Sequence, residues 1–243
     1  MSEKNVHVWR AALDAPAEHV QAFAQTLSAD EAARAATFRE AQARRRFVVA
    51  HGVLRAILAR YLNVAPACVR FVYGQHGKPY LAADFAASGI EFNLAHAGEL
   101  AVVAVARTRA VGVDVEEVRP LPDLEAMARR YFSARETQAL LALPAAQRHE
   151  SFYRYWTRRE AWLKARGDGL AGAWEGSDIA RLERAQSNPP FGLRRLPLPH
   201  GYVGAVAAAG SDWHATHAEL WFGAGTRHVV PLDYEDTRDP TIL

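Results

Sequence analysis

The chain has 243 residues, half of them apolar, with a formal net charge of +2 and one cysteine. This length suits one large domain or two small ones with a substantial core. The single Cys68 excludes an internal disulfide and a cysteine metal cluster. The charged start MSEKNVHVWR has no apolar signal core, and no run approaches the ~18 apolar residues of a spanning helix. We therefore expect a soluble cytoplasmic protein with no membrane role.

The N-terminal half combines strand patterns with amphipathic helices. A short strand is predicted in NVHVW, and residues 17–36 are helical in composition. That helical stretch is predicted to break at Ser28, because Ser28 and Glu31 have the spacing of a capping box. A long amphipathic helix is predicted in QARRRFVVAHGVLRAILARYLNV. Two strand pairs follow, one in CVRFVYGQHGKPYLA and one joined at HAGE in IEFNLAHAGELAVVAVAR.

The C-terminal half repeats this arrangement. It has a strand in AVGVDVEEV, a capping box at Ser133 and Glu136, a long helix ending at Gly167 and Gly169, and strands in YVGAVAAAG and HAELWFGAG. The small-residue strand LAVVAVA has a counterpart in YVGAVAAA. This recurrence predicts an α+β fold of two similar halves with a ligand cleft between them. The division is predicted to fall between residues 1–108 and 109–243.

Two carboxylates are predicted to lie on one face of the strand AVGVDVEEV. Because side chains alternate along a strand, Gly112, Asp114 and Glu116 point to the same side, and the glycine is interpreted as clearing space. Like charges this close repel unless water or a cation separates them. The face is therefore either solvated at an exposed edge or a site for Mg²⁺, which prefers oxygen ligands and shares them with phosphates. Glu160, on the second long helix, is a third candidate ligand.

The stretch YWTRREAWLKARGDGL contains a second charged pair. Glu160 and Lys164 are one helical turn apart and share a face with Trp156. An ordinary surface ion pair is one interpretation of this spacing. The other is a functional pair on a rigid helix that the tryptophans fix against the core.

Basic residues in three other segments have both a structural and a functional interpretation. His96 follows an apolar strand and is either a buried, hydrogen-bonded histidine or a phosphate contact. Lys78, held extended by Pro79, is either a solvated charge or a ligand contact. The three arginines of residues 44–46 are either a solvated helix face or a site at which one or two aim at a ligand.

The segments GKP, FNLAHA, VGVDVE and WTRREAWLK, in this order, resemble the 4′-phosphopantetheinyl transferases of the larger, surfactin-synthetase-activating type. The matching segments are residues 77–79, 92–97, 111–116 and 156–164, and the tail GDGL resembles the Gly-x-Gly-Leu ending of the family. Three positions depart from the family pattern. Ala95 and Ala97 replace the serines that flank the histidine, and Arg159 replaces the lysine before Glu160.

The resemblance implies a reaction and a metal. Family members transfer the 4′-phosphopantetheine arm of coenzyme A to a serine of an apo acyl or peptidyl carrier protein and release 3′,5′-ADP. Asp114, Glu116 and Glu160 are implied to hold Mg²⁺, for which Mn²⁺ is an alternative because all ligands are oxygen. Glu160 is also the implied general base, and Lys164 would neutralise or protonate the leaving phosphate. The family fold is a monomer of two pseudo-symmetric halves.

The resemblance also implies contacts with coenzyme A. His96 would contact the 3′-phosphate or the pyrophosphate, Lys78 and Arg46 match positions near the adenosine phosphate, and Arg34 matches a more peripheral cation. The implied catalytic residues are Glu160, Lys164, Asp114 and His96. The implied coenzyme A contacts are Arg46, Lys78, Ala95 (through its backbone N–H), His96, Asp114, Glu160 and Lys164. Arg44 and Arg45 are given no role.

Three other functions use the same features. A different Mg²⁺-dependent phosphoryl-transfer enzyme, such as a nucleotide phosphohydrolase, would use the carboxylates without a carrier protein. A non-catalytic module would bind coenzyme A or a carrier, although the intact carboxylates and Lys164 argue against it. A nucleic-acid binder would interleave aromatic and basic residues on one surface. Because the basic residues here are scattered, no nucleic-acid partner is expected.

Overall fold

The computed structural model describes residues 1–75, 77–167, 191–223 and 226–232. Its helices are α1 (Ala17–Ala24), α2 (Ala29–Thr37), α3 (Ala41–Leu62), α4 (Leu124–Tyr131), α5 (Ala134–Ala142) and α6 (Ala145–Arg166). Its strands are β1 (Asn5–Ala12), β2 (Phe71–Tyr73), β3 (Pro79–Leu81), β4 (Ile90–Ala97), β5 (Leu100–Arg107), β6 (Val111–Glu117), β7 (Phe191–Arg195), β8 (Tyr202–Ala209), β9 (His214–Gly223) and β10 (Thr226–Leu232). Short 3₁₀ helices cover Pro66–Cys68 and Ala83–Ser88. In the part of the chain described, every helix is too short or too polar to cross a membrane.

Two sheets pack face to face between two long helices. The five-stranded sheet has the order β10-β9-β1-β5-β4, and the three-stranded sheet has the order β6-β8-β7. One face of the five-stranded sheet packs on α3, where Val103 and Leu54 belong to one buried cluster. Its other face packs on the three-stranded sheet, where Val102 and Val113 belong to one buried cluster. Helix α6 covers the far side of the three-stranded sheet, so the fold is α+β, as predicted.

The two halves are similar, as the recurrence in the sequence predicts. LAVVAVA forms β5, an inner strand of the larger sheet, and YVGAVAAA forms β8, the central strand of the smaller one. Both are buried along nearly their whole length, which explains why they are built of alanine, valine and glycine. The long helices α3 and α6 both have 22 residues. The division between residues 108 and 109 stays a prediction.

The C-terminal hairpin joins the sheet of the N-terminal half. Strand β9 pairs in parallel with β1, with Asn5 opposite His214 and Ala11 opposite Leu220, and β10 continues the sheet beyond it. This pairing links the first strand to one about 200 residues later in the chain. A strand pattern alone carries no information on so distant a partner, so the sequence did not predict it.

Both predicted capping boxes are confirmed. At the start of α5, Ser133 Oγ accepts from the N–H of Glu136 at 3.2 Å, and Glu136 Oε2 accepts from the N–H of Ser133 at 2.8 Å. The same reciprocal bonds join Ser28 and Glu31 at the start of α2. Glu136 Oε2 also lies 2.9 Å from Arg159 Nη2 of α6, in a buried ion pair. The arginine that replaces the lysine of the family thus ties α5 to α6.

Helix α6 crosses strand β6 in direct backbone contact at Gly112. A Cβ at this position would overlap the carbonyl oxygen of Ala161 and the amide nitrogen of Ala165. The space that this glycine clears is therefore filled by the helix. On its other side, β6 is fixed by the buried Asn93 of β4, whose Oδ1 accepts the N–H of Val113 at 2.9 Å. The strand next to Asp114 is thus held from both sides.

Candidate active site

Asp114 lies where β6 meets α6. It is only 5% exposed, and its Oδ1 lies 2.5 Å from Lys164 Nζ. Its Oδ2 is buried without a hydrogen-bond partner. Burial raises the pKa of Asp114, and the positive charge of Lys164 opposes that shift. A buried acceptor without a donor is costly, so this oxygen is a candidate ligand for a cation.

Glu160 lies one helical turn before Lys164 and is 6% exposed. Its Oε1 is also buried without a hydrogen-bond partner. Burial, and then the negative charge of Asp114, raises the pKa of Glu160 to about 7. The interpretation of Glu160 and Lys164 as an ordinary surface pair is therefore wrong, since Glu160 is buried and Lys164 pairs with Asp114.

Glu116 is half-buried two residues after Asp114 on the same strand. Burial and the negative charge of Asp114 raise its pKa to about 7. The indole of Trp156 donates a hydrogen bond to Glu116 and partly offsets this shift. Trp156 also packs against Phe152 and Tyr131 in the α4–α6 cluster. The sequence predicted its packing role but gave no sign of its hydrogen bond.

The chemistry of these three carboxylates fits a hard divalent cation. All the candidate ligand atoms are oxygen, and two of them, Asp114 Oδ2 and Glu160 Oε1, accept no hydrogen bond. The negative charge of Asp114 raises the pKa of both glutamates, and that of Glu116 also raises the pKa of Glu160. In the described residues, however, no group of three or more acidic, histidine or cysteine side chains is arranged at metal-binding geometry. Lys164 already neutralises one oxygen of Asp114. A cation would require these side chains to turn towards a common point.

The raised pKa of Glu160 predicts a pH-dependent stability in the absence of metal. The folded state binds this proton more tightly than the unfolded state, so its stabilising effect is present below about pH 4.5 and is lost as the pH rises through about 7. We therefore expect Glu160→Gln to melt higher than the wild type above about pH 7, with the difference vanishing below about pH 4.5. In a chain of this size, each kcal/mol of difference in the free energy of unfolding shifts the melting temperature by about 2–4 °C.

Differential scanning calorimetry with a chelator measures this effect. Glu150→Gln is the matched control, because Glu150 is an exposed carboxylate on the same helix, paired with Arg154. The control keeps Glu160, so it is expected to melt with the same dependence on pH as the wild type. If wild type and Glu160→Gln melt with the same dependence on pH, the raised pKa of Glu160 is wrong.

Several of the basic residues predicted to bind phosphate converge around His96. The imidazole is reached by solvent at the end of β4, yet the surrounding atoms displace enough water to lower its pKa. The positive charges that lower this pKa further belong to His51, Lys164, Arg34 and Arg46. We call these five residues the cation basin. Basic side chains close enough to lower the pKa of one histidine favour an anionic ligand there.

His51 was not predicted from the sequence as a site residue. Its Nδ1 lies 2.9 Å from Glu31 Oε1, and its ring stacks on Phe47 with centroids 4.0 Å apart. The guanidinium of Arg34 lies 5.6 Å from the centre of the same phenyl ring. A histidine within an amphipathic helix gives no sign of which residues it faces, so only the fold reveals this neighbourhood.

The turn that follows His96 is held against the C-terminal half. The N–H of Glu99 donates to the hydroxyl of Tyr202 at 3.1 Å. A Cβ on Gly98 would overlap this hydroxyl and the carboxylate of Glu117. Arg46 Nη2 lies 3.3 Å from Glu99 Oε1. The cation basin is therefore positioned between the two halves, beside the strand that carries Asp114.

Lys78 lies at the C-terminal end of α6. Its Nζ donates to the backbone oxygen of Lys164 at 2.5 Å and to that of Val111 at 3.3 Å. The phosphate contact that the resemblance implies for Lys78 stays a prediction.

Three further positions named from the sequence have local contacts, and the contact implied for the backbone N–H of Ala95 stays a prediction. Ala95 is buried in the core between the two sheets. Arg44 donates to the carbonyl of Phe38 at 3.1 Å, and Arg45 donates to the carbonyl of Ala15. Gly167 of the GDGL tail ends α6, as predicted, and residues 168–170 lie outside the described residues.

Two family models match the chain. Residues 110–216 match the 4′-phosphopantetheinyl transferase superfamily, and residues 12–108 match the N-terminal 4′-phosphopantetheinyl transferase model. The chain is 46% identical over 212 residues to the 4′-phosphopantetheinyl transferase HetI of Nostoc sp., covering 86% of this chain and 89% of the relative. It is 31% identical over 235 residues to an L-aminoadipate-semialdehyde dehydrogenase-phosphopantetheinyl transferase of Eremothecium gossypii, covering 94% and 76%. It is 25% identical over 203 residues to the transferase Sfp of Bacillus subtilis, covering 81% and 88%.

Proposed function

Because the chain belongs to the 4′-phosphopantetheinyl transferase superfamily, we propose that it transfers the 4′-phosphopantetheine group of coenzyme A to a serine of an apo carrier protein. The observation that carries this proposal is that Lys164, a member of the cation basin, forms an ion pair with the buried Asp114, so that the carboxylates lie beside the cation basin. The pyrophosphate of coenzyme A could bind a cation held by the carboxylates, and its further phosphate could bind the cation basin. The serine oxygen forms a new bond to the phosphorus that bears pantetheine, the phosphoanhydride bond breaks, and 3′,5′-ADP leaves.

Asp114, Glu116 and Glu160 are the residues that would hold Mg²⁺ or Mn²⁺. This role is supported by two observations: all the ligand atoms would be oxygen, and the buried Asp114 Oδ2 and Glu160 Oε1 accept no hydrogen bond. The cation would supply a Lewis acid for the reacting phosphate. The carboxylates themselves are buried or half-buried beside one another, and burial together with the charge of Asp114 raises the pKa of both glutamates to about 7.

Glu160 is proposed to accept the proton of the carrier serine, directly or through a water. Its pKa of about 7 lies near a neutral working pH, where a general base is most effective. Lys164, one turn further along α6, is proposed to neutralise or protonate the leaving phosphate. His96 and Arg46 are proposed to bind a phosphate of the adenosine portion through charge-assisted hydrogen bonds.

Removal of the His96 side chain is expected to weaken coenzyme A binding without stopping the reaction. His96→Ala should raise the KM for coenzyme A about tenfold and change kcat little, because a lost phosphate contact costs roughly 1.5 kcal/mol or more. If the contact is to the 3′-phosphate, the KM for 3′-dephospho-coenzyme A will not change. Steady-state rates with both substrates measure this difference. A loss confined to kcat would contradict the binding role.

The carrier partner is proposed to be an acyl or peptidyl carrier protein, and the enzyme is proposed to act as a cytoplasmic monomer. The chain is slightly basic, which would favour encounter with the acidic recognition helix implied by the family resemblance. Fatty-acid, polyketide, nonribosomal peptide and siderophore carriers all meet this description.

Dependence on the carrier distinguishes this function from the alternatives. A phosphohydrolase would release 3′,5′-ADP from coenzyme A without a carrier, and a binding module would release none. We expect release only when an apo carrier is present, as measured by chromatography of the nucleotide products. Release that is unaffected by omitting the carrier, or by mutating its acceptor serine, would refute the proposed function.

A further inference from the structure

The Lys78 ammonium is bound by the protein itself. Its Nζ donates to two backbone carbonyls, 2.5 Å from that of Lys164 and 3.3 Å from that of Val111. It lies 5.5 Å from the centre of the Tyr80 ring. Burial lowers the pKa of Lys78, and the negative charge of Glu91 on β4 partly offsets that shift. Two of its three N–H donors are thus bound by backbone carbonyls, and Glu91 supplies a nearby negative charge.

The carbonyl of Lys164 is one that the helix cannot satisfy. The last four carbonyls of an α-helix have no partner within it, and α6 ends at Arg166. The N–H of Gly167, in a left-handed conformation, takes the carbonyl of Leu163. Lys78 takes the next one, and its positive charge lies at the negative end of the helix dipole. The β2–β3 connection thereby caps the helix that carries Glu160 and Lys164.

The second carbonyl belongs to the strand that carries Asp114. Val111 is the first residue of β6, and Gly112 after it is where the backbone of α6 lies against the strand. One ammonium group therefore joins the end of α6 to the start of β6 beside that contact. Lys78 thus holds the backbone of Lys164, and Lys164 Nζ donates to Asp114 Oδ1 at 2.5 Å.

The turn that carries Lys78 is itself fixed. The N–H of Gly74 donates to the carbonyl of Lys78 at 3.0 Å, and the N–H of Gly77 donates to the carbonyl of Gly74 at 2.9 Å. Gly77 has a φ of +75°, which a residue with a side chain rarely adopts. Pro79 then starts β3. Lys78 therefore projects from a defined position.

We propose that Lys78 is a positioning residue, which joins the last turn of α6 to β6 and so aims Lys164 at Asp114, and that it is not a contact for coenzyme A. This inference rests on the proposed function. The two roles make opposite predictions, because a lost phosphate contact raises KM, whereas a misplaced Lys164 lowers kcat.

The variant Lys78→Met keeps the apolar stem and removes the three donors. We expect kcat to fall about 10- to 100-fold and the KM for coenzyme A to change less than about threefold. The preference for coenzyme A over 3′-dephospho-coenzyme A should not change. Arg46→Met, in the cation basin, is the matched variant, and it is expected to raise KM. Calorimetric titration with coenzyme A counts the folded sites, so that kcat refers to intact enzyme.

An unchanged kcat with a tenfold higher KM, or loss of the preference for the 3′-phosphate, would overturn the positioning role. Failure of the wild type to modify any carrier would instead overturn the proposed function, so the two failures are distinct.

Labelling of the wild type with an amine-reactive reagent provides a second test that needs no variant. The chain has three lysines, Lys4, Lys78 and Lys164. We expect Lys78 to react slowly both with and without 3′,5′-ADP. Protection that develops only when 3′,5′-ADP is added would contradict the inference.

Discussion

Glu160→Gln is expected to lower the rate of phosphopantetheine transfer by about 10²- to 10⁴-fold, the usual contribution of a general base. The amide has nearly the same shape as the carboxyl group, so the buried environment of α6 is preserved. It cannot accept the serine proton, and it is a weak ligand for a divalent cation. Because both losses act on the chemical step, kcat should fall and the affinity for coenzyme A should change little. Single-turnover formation of the modified carrier measures the rate.

Glu150→Gln is the control for this substitution as well. It changes an exposed carboxylate ten residues earlier on the same helix and should keep the wild-type rate. Transfer by Glu160→Gln within about tenfold of the wild type would exclude Glu160 as both base and ligand.

Asp114→Asn is expected to lower turnover by about 10³-fold and to raise the Mg²⁺ concentration needed for the remaining activity. Asp114 is the most buried of the three carboxylates, and its charge affects both Glu116 and Glu160. Without that charge, the pKa of both glutamates should fall, and Lys164 loses its ion pair. Since the Lys164 side chain is 31% exposed, water compensates part of that loss and the fold should persist.

A titration of activity with Mg²⁺ for wild type and Asp114→Asn measures this effect. Asp123→Asn, at an exposed position before α4, is the matched control and should behave as the wild type does. If Asp114→Asn reaches the wild-type rate at the same Mg²⁺ concentration, the proposed ligand role of Asp114 is wrong.

Local patterns predicted much of the fold. The capping boxes at Ser28 and Ser133 depend on residues three apart, and the alternation in AVGVDVEEV depends on residues two apart. Such patterns depend only on residues close together in the sequence, so they can be recognised without knowledge of the rest of the fold. The same reasoning placed Asp114 on the face of β6 that meets Lys164.

Contacts between distant segments were not predicted. The parallel pairing of β1 with β9, the amide bridge from Asn93 to β6 and the bond from Trp156 to Glu116 join residues tens to hundreds of positions apart. Gly112 was interpreted as space beside the carboxylates, because its sequence neighbours give no sign that α6 crosses there. Asn93, polar in the middle of an apolar strand, is the one of these positions whose sequence context is unusual.

Intact-protein mass spectrometry of an apo carrier tests the central claim most directly. The chain is mixed with coenzyme A, Mg²⁺ and an apo acyl or peptidyl carrier, with EDTA in place of Mg²⁺ in a parallel reaction. The account predicts that the carrier gains one phosphopantetheine mass with Mg²⁺ and none with EDTA, and that a carrier without its acceptor serine gains none. No gain on several different apo carriers, under conditions in which coenzyme A binds, would contradict it.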